Sequence, residues 1–250
     1  MQIRLFFLLI IILSIGFTTP NPLKASEPNW SSYAAILEQH IEQKTKDGIT
    51  LAWLDYPAIK TDPNYEKTLY ELQSFSLGHL ESKEERLAFY INAYNIFAIK
   101  MVLDNWPVES IRDIGSWFNP VWKKKVGKIG GKTVTLHEIE HDILRKMGEP
   151  RIHMAIVCAS LSCPDLRKEP YTAEKLEAQL KEQTYRFFDN KSKGLNISGE
   201  SIKTSKILDW FAEDFNDRIA FISKYHPDIT KKGKIDGFLN YNWSLNGKAK

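Results

Sequence analysis

Residues 124–150 read KKVGKIGGKTVTLHEIEHDILRKMGEP, and this stretch decides the fold class. Lys124 to Ile129 and Lys132 to Thr135 flank Gly130-Gly131, a pair that accepts the positive φ angles of a tight hairpin turn. Thr135 then stands three residues before Glu138, the spacing of a capping box, in which each side chain satisfies a backbone N–H at a helix start. Gly148, with Pro150 beyond it, ends that helix. A short antiparallel hairpin feeding a helix marks an α+β chain.

Outward from this stretch, helices and short strands interleave. Trp30 to Lys46 carries Tyr33, Ile36, Leu37 and Ile41 at helical spacing, and Lys83 to Asp104 carries Leu87, Tyr90, Ile91, Tyr94 and Ala98 in the same way, so both are expected as core helices. Arg151 to Val157 is a short, mostly apolar run, expected as a strand that leads directly into Cys158-Ala159-Ser160-Leu161-Ser162-Cys163-Pro164. Thr172 begins a helix reaching Phe188, Leu195 to Lys203 forms a small hairpin around Ser198-Gly199, and Ser205 opens a last helical pair. The expectation is a single helix-rich α+β domain with short antiparallel strands and hairpins.

At the front, MQIRLFFLLIIILSIGF sets Arg4 before an apolar run from Leu5 to Phe17, the layout of a secretory signal. The run is short against the roughly 20 apolar residues of a membrane span. The expected division is therefore a leader over residues 1–25, with Leu23-Lys24-Ala25 ahead of the cleavage point, and one domain over 26–250. An exported, periplasmic or extracellular protein follows, touching a membrane only through an uncleaved leader. A net charge of +3 argues against a nucleic-acid partner, and two cysteines exclude a disulfide-dense scaffold.

Within the opening stretch, His137, Glu138 and His141 spell H-E-x-x-H, the letters of a zinc-hydrolase helix. The two histidines are four apart and share a face, and Glu138 would act as base on a metal-bound water. A catalytic zinc needs a third protein ligand, yet the positions where an extended motif would supply glycine and histidine hold Leu144 and Met147. The capping box gives Glu138 a structural task as well. Zinc therefore stands as the alternative, and the leading chemistry requires no metal or cofactor.

Cys158, at the end of an apolar run and followed by small residues, is placed to present a thiol beside backbone N–H groups. A thiol nucleophile needs a base and the base an orienting group, which His141 with Glu140, or His153, could provide. Pairing with Cys163 as a disulfide and an inert core position are the two other fates of this residue, and the residues alone leave all three open. On the long helix, Asn92 and Asn95 are three apart on an otherwise apolar segment, so buried amides there need partners. Their structural reading is capping of neighbouring loops; their functional reading, shared with Tyr94, is binding substrate or orienting a catalytic side chain.

Five blocks carry a resemblance: FYINAYN, GGKTVTLHEIEHDILR, PRIHMAIVCASLSCPDLR, YTAEKLEAQL and YNWSLN. In order and spacing they resemble the family catalogued as domain of unknown function 547, over most of residues 84–190 and on to residue 246. Bacterial members resemble this chain in being exported single-domain proteins, while plant members carry the domain behind a coiled coil. The resemblance covers Ile139-Glu140-His141 and Ala155-Ile156-Val157-Cys158; it implies no fixed histidine at His137, and it implies a cysteine at Cys163 in many bacterial relatives that plant-like ones replace. It brings no settled activity. A cysteine, a histidine and a carboxylate from separate blocks are similar to the organisation of papain-like and transglutaminase-like thiol enzymes, in permuted order.

The leading expectation is a thiol-dependent hydrolase or acyltransferase acting on an amide or peptide bond, a cysteine-type amidase or peptidase if the chain is an enzyme. Cys158 is its nucleophile, His141 its acid and base, Glu140 the orienting group, and Asn92, Tyr94, Asn95 and His153 its binding residues. The alternatives are a zinc hydrolase through His137, Glu138 and His141, and a non-catalytic cell-envelope binding module using Trp106, Trp117, Phe118 and Trp122. Those aromatics are expected to pack beneath the hairpin.

Overall fold

In the computed structural model, which describes residues 27–232 and 234–248, the chain enters through α1 (Ser31–Gln39) and turns at His40 into β1 (Ile41–Lys46), paired antiparallel with β2 (Ile49–Leu54). The expected leader lies outside the described residues. The expectation of one helix over Trp30–Lys46 is thus corrected. Asp47 and Gly48 both take positive φ, 51° and 76°, the geometry of a two-residue hairpin turn, and the exposed polar side chains Glu42 to Lys46 have no core face to follow.

Two short helices, α2 (Tyr56–Thr61) and α3 (Pro63–Ser74), lead to the long α4 (Lys83–Asp104). Ser82 and Glu85 form a capping box at its start: the Ser82 hydroxyl accepts the Glu85 N–H at 3.1 Å, and the Glu85 carboxylate accepts the Ser82 N–H at 2.8 Å. Ala88, Phe89, Ile91, Ala93, Phe97 and Val102 on α4 are wholly buried, so this helix is apolar nearly all round and forms the axis of the main core.

The hairpin β3 (Lys125–Ile129) and β4 (Lys132–Thr135) follows as expected, with Gly130 and Gly131 at φ 56° and 78°. The capping box is present too: the Thr135 hydroxyl accepts the Glu138 N–H at 3.0 Å and the Glu138 carboxylate accepts the Thr135 N–H at 2.7 Å. Past it the backbone widens into a π-helix over Glu138–Leu144, tightens to a 3₁₀ turn over Arg145–Met147, and stops at Gly148 in the left-handed region.

Arg151–Val157, expected as a strand, is instead a single helical turn, α5 (Ile152–Ala155), followed by Ile156 in extended conformation. An apolar run of this length does not distinguish the two by periodicity. Ile152 and Ala155 face the main core, while Met154 faces a second apolar cluster. That cluster is built by α6 (Leu176–Asp189), the hairpin β5 (Leu195–Ser198) and β6 (Ser201–Thr204), α7 (Ile207–Trp210) and α8 (Arg218–Ser223). A last strand, β7 (Gly237–Phe238), joins β6 in parallel. The fold is α+β.

After β7 the chain crosses back over the molecule. The Leu161 N–H donates to Ser244 O at 2.9 Å, the Asn246 N–H to Ala159 O at 3.1 Å, and the Leu54 N–H to Asn246 O at 3.1 Å. Gly247 permits this passage, because a Cβ there would meet Leu54 O at 2.4 Å and the Tyr56 ring at 2.6 Å.

Candidate active site

The loop that holds Cys158 is fixed from three directions. From α4, Asn95 acts as a peptide mimic: its amide donates to Ala155 O at 3.0 Å and its oxygen accepts the Val157 N–H at 2.8 Å. From the C-terminal segment come the bonds to Ala159 and Leu161. From the far side, Asp165 accepts the Ala52 N–H at 2.8 Å and pairs with the buried ammonium of Lys193 at 2.6 Å. Burial pulls the Lys193 ammonium downward against the opposing pull of Asp165. Directly after Cys158, buried Ala159 sits at φ 58°, a left-handed conformation that costs an alanine about 1 kcal/mol and turns the chain sharply at the sulfur.

Cys158 and Cys163 are joined by a disulfide, with Cα atoms 6.1 Å apart. Cys163 is buried and its sulfur accepts the Cys158 N–H at 2.9 Å, whereas Cys158 is only partly covered. The Tyr241 hydroxyl touches both sulfurs, at 3.3 Å and 3.4 Å, and the Ser160 hydroxyl lies 3.2 Å from Cys158 Sγ.

The disulfide opens into a pocket of about 110 Å³ whose walls include Tyr94, Glu140, His153, Tyr241, Trp122, Trp210 and Trp243. Glu140 projects from the π-helix and accepts the Tyr94 hydroxyl at 3.2 Å. Burial pushes its carboxyl up to about 7, against the Tyr94 hydrogen bond and the Arg145 charge, which act downward. A carboxyl that titrates near neutrality in the same pocket as a sulfur is suited to proton transfer. Tyr241 and Tyr94 are both pushed well above the usual phenol range, chiefly by burial, so they stay protonated as hydrogen-bond donors.

Behind this wall runs a second network. His153 is buried, stacks on Phe211 with centroids 4.2 Å apart, and donates from Nε2 to Asp214 at 2.7 Å. Burial lowers it to about 4, so it is a neutral donor at neutral pH. Asp214 also holds Arg145, whose Nε lies 2.6 Å from Oδ2 and whose other nitrogens bond Glu213 and His141 Nδ1, the latter at 2.8 Å. Burial acts upward on Asp214, but hydrogen bonds from Arg145 and His153 outweigh it and hold the carboxyl below its ordinary value.

The structure thus brings four of the expected residues, Tyr94, Glu140, His153 and Cys158, to one pocket. It corrects three others. His141 is not a wall of that pocket; its Nδ1 is bound by Arg145, and its ring lies 4.3 Å from that of His137, so the expected Cys158–His141 pair does not form. Asn92 accepts the Tyr171 N–H at 2.9 Å and donates to Tyr171 O at 2.7 Å, and Asn95 is committed to Ala155 and Val157, so both amides clamp main chain behind the pocket. Tyr241, Asp214 and Trp210 are site residues that the sequence did not single out. The YNWSLN block was the one signal for Tyr241, and no local pattern ties Asp214 to His153.

The zinc reading is also corrected. Among the described residues, no three His, Cys, Asp or Glu side chains converge to hold a metal ion. Glu138 is spent on the Thr135 N–H, and the Arg145 guanidinium lies 2.8 Å from His141 Nδ1, which puts a positive charge beside the face where a zinc ion would have to bind. Trp117 and Phe118, expected beneath the hairpin, are 93% and 94% exposed, while Trp106 packs against Tyr56 at 5.9 Å.

A family model described as protein of unknown function, DUF547, matches residues 77–188. These residues belong to the DUF547 family. The DUF547 span carries α4, the hairpin, the π-helix, the disulfide loop and nearly all of α6. Trp210 and Tyr241 reach the pocket from beyond its end, and so does Asp214, which holds His153 from behind the pocket wall. No curated protein and no solved structure matches the chain.

Proposed function

We propose that the pocket is a thiol reaction centre, and that the chain is a thiol-dependent hydrolase or acyltransferase acting on amide or peptide bonds. The observation that carries this reading is the meeting of Cys158 with Glu140, a carboxyl at about 7, in one largely apolar pocket. Glu140 takes the proton-transfer role first expected of His141.

The resting disulfide must open before Cys158 acts. A dithiol reductant gives two electrons and two protons, leaving Cys158 and Cys163 as thiols and itself as a disulfide. The Cys158 proton then passes to the Glu140 carboxylate, and the thiolate attacks the carbonyl carbon. The hydroxyls of Tyr241 and Ser160, nearest the sulfur at 3.3 Å and 3.2 Å, donate to the developing oxyanion. As the C–N bond breaks, Glu140 returns its proton to the leaving amine. Water, giving a proton to Glu140, hydrolyses the thioester, or an amine displaces it in acyl transfer; the proton goes back to the thiolate. Export into an oxidising compartment, expected from the leader, agrees with a disulfide resting state.

Turnover of an amide and peptide library by dithiothreitol-reduced protein tests this. Cys158→Ser abolishes it, and Glu140→Gln lowers it about 10²- to 10⁴-fold. Full activity in folded Cys158→Ser protein overturns the reading. A second reading, thiol–disulfide exchange, is favoured by the contact of Tyr241 with both sulfurs. Cys163→Ser separates the two: hydrolysis survives it, whereas catalysed reduction of insulin disulfides does not.

A further inference from the structure

The pocket beside Cys158 is too small for a whole substrate: its 110 Å³ compares with roughly 300–1,000 Å³ for sites that enclose drug-sized ligands. Most of any peptide must lie outside it. A wider groove of about 930 Å³ opens next to it and shares three of its walls, Trp122, Trp210 and Trp243. Trp210 and Trp243 are stacked with centroids 5.6 Å apart, and Trp122 lies 6.1 Å from Trp243. At the outer lip stands Trp117, 93% exposed. Trp243 is covered by Trp210 and Arg112, but Trp210, 45% exposed, and Trp117 leave aromatic surface open along a groove that leads to the sulfur, a surface awaiting an apolar group.

The polar side chains of this groove narrow the choice of occupant. Ser110 donates its hydroxyl to Trp243 O at 2.8 Å and accepts the Arg112 N–H at 3.2 Å. Asp113 accepts the Ser110 N–H at 2.9 Å, and Ser116 accepts the Asn119 N–H at 3.1 Å. These groups are engaged within the protein, which leaves few fixed partners for a polyhydroxylated ligand such as a glycan. Arg112 differs. Its guanidinium lies 5.1 Å over the Trp243 ring at the groove wall, and among the described residues no carboxylate stands within ion-pair distance of it. The groove therefore offers aromatic surface, one cation without a carboxylate partner and, on Asp113, a carboxylate that caps the Ser110 N–H.

We infer that this groove binds the substrate beyond the scissile bond, as a peptide segment that lays an aromatic or apolar side chain on Trp210 and Trp117 and sets a carboxylate on Arg112. The inference rests on the thiol-hydrolase reading only for where the scissile bond lies. Binding is tested without turnover, using full-chain Cys158→Ser protein and isothermal titration calorimetry. Three probes are used: acetyl-Phe-Glu-amide, with a side-chain carboxylate; acetyl-Phe-Gln with a free C-terminus; and neutral acetyl-Phe-Gln-amide.

At least one carboxylate peptide binds about fivefold tighter than the neutral one, the size expected of an accessible ion pair, and which one does so identifies the source of the carboxylate. Arg112→Gln removes that preference. Trp117→Ala, at an exposed position, weakens all three peptides alike, and 1 M NaCl shrinks the preference by screening. Equal binding of the three peptides overturns the inference, as does an unchanged preference in Arg112→Gln or tighter binding of an N-acetylglucosamine tetramer. The same peptides given to reduced wild-type protein distinguish the two failures. Selective binding without cleavage sinks the hydrolase reading alone, and cleavage without carboxylate preference sinks the groove assignment alone.

Discussion

Asn95 on α4 accepts the N–H of Val157 at 2.8 Å, one residue ahead of Cys158, and so couples the longest helix to the backbone that presents the sulfur. Its amide also satisfies Ala155 O. Asn95→Ala leaves a buried N–H and a buried carbonyl unpaired and is expected to destabilise the protein by about 2–4 kcal/mol. Urea unfolding measures this, and a loss under about 1 kcal/mol contradicts the clamp.

Glu140 makes a pH-dependent contribution with a definite sign. Its carboxyl titrates at about 7 in the folded protein against 4.5 ordinarily, so the folded state holds the proton more tightly than the unfolded chain. Below 4.5 both states are protonated and no cost arises; stability falls as the pH rises from 4.5 to about 7 and levels off above. Glu140→Gln does not titrate, and its carbonyl still accepts the Tyr94 hydroxyl. Relative to wild type it is expected to gain about 2 kcal/mol between pH 5 and pH 8. Denaturant midpoints at the two pH values give the comparison, and an unchanged difference speaks against a raised carboxyl.

The Asp165–Lys193 pair ties the disulfide loop to the segment after α6. Asp165→Ala strands a buried ammonium and is expected to cost about 3–5 kcal/mol, whereas adding Lys193→Met recovers much of the loss because a buried pair is worth little net against apolar packing. Thermal unfolding of the single and double variants measures the coupling. If the double variant is no more stable than the single, the ammonium is not the source of the loss.

The parts of this molecule that are written locally in the sequence are the parts that could be read there. The Gly130-Gly131 turn, the Thr135–Glu138 capping box and the stop at Gly148 each involve residues within a few positions of one another. The Asp47-Gly48 turn was equally local, but the apolar spacing of Tyr33 to Ile41 continued across it and masked the start of a strand. Arg151–Val157 failed for a different reason: its shape is imposed by Asn95, some 60 residues earlier in the chain.

The site divides in the same way. Cys158 was visible in a short window, as a cysteine after an apolar run, whereas Glu140 was reached only as the neighbour of His141 and through the resemblance over Ile139-Glu140-His141. The H-E-x-x-H string gave the shared face of His137 and His141 correctly, but the third partner on that face is Arg145, a cation, which spacing alone does not reveal as the occupant of His141 Nδ1. Asp214 meets His153 across 61 residues and Tyr241 meets Cys158 across 83, so both depended on tertiary packing.

The most direct measurement is mass spectrometry of an acyl-enzyme. Protein reduced with dithiothreitol, freed of reductant and shown to be folded by circular dichroism, is mixed with a nitrophenyl ester of an N-acetylated amino acid, quenched in acid and peptide-mapped. An acyl adduct is expected on Cys158, absent from oxidised protein and from Cys158→Ser and retained in Cys163→Ser. An adduct confined to Cys163, or folded and reduced protein that acquires none on Cys158, would contradict the assignment of Cys158 as nucleophile.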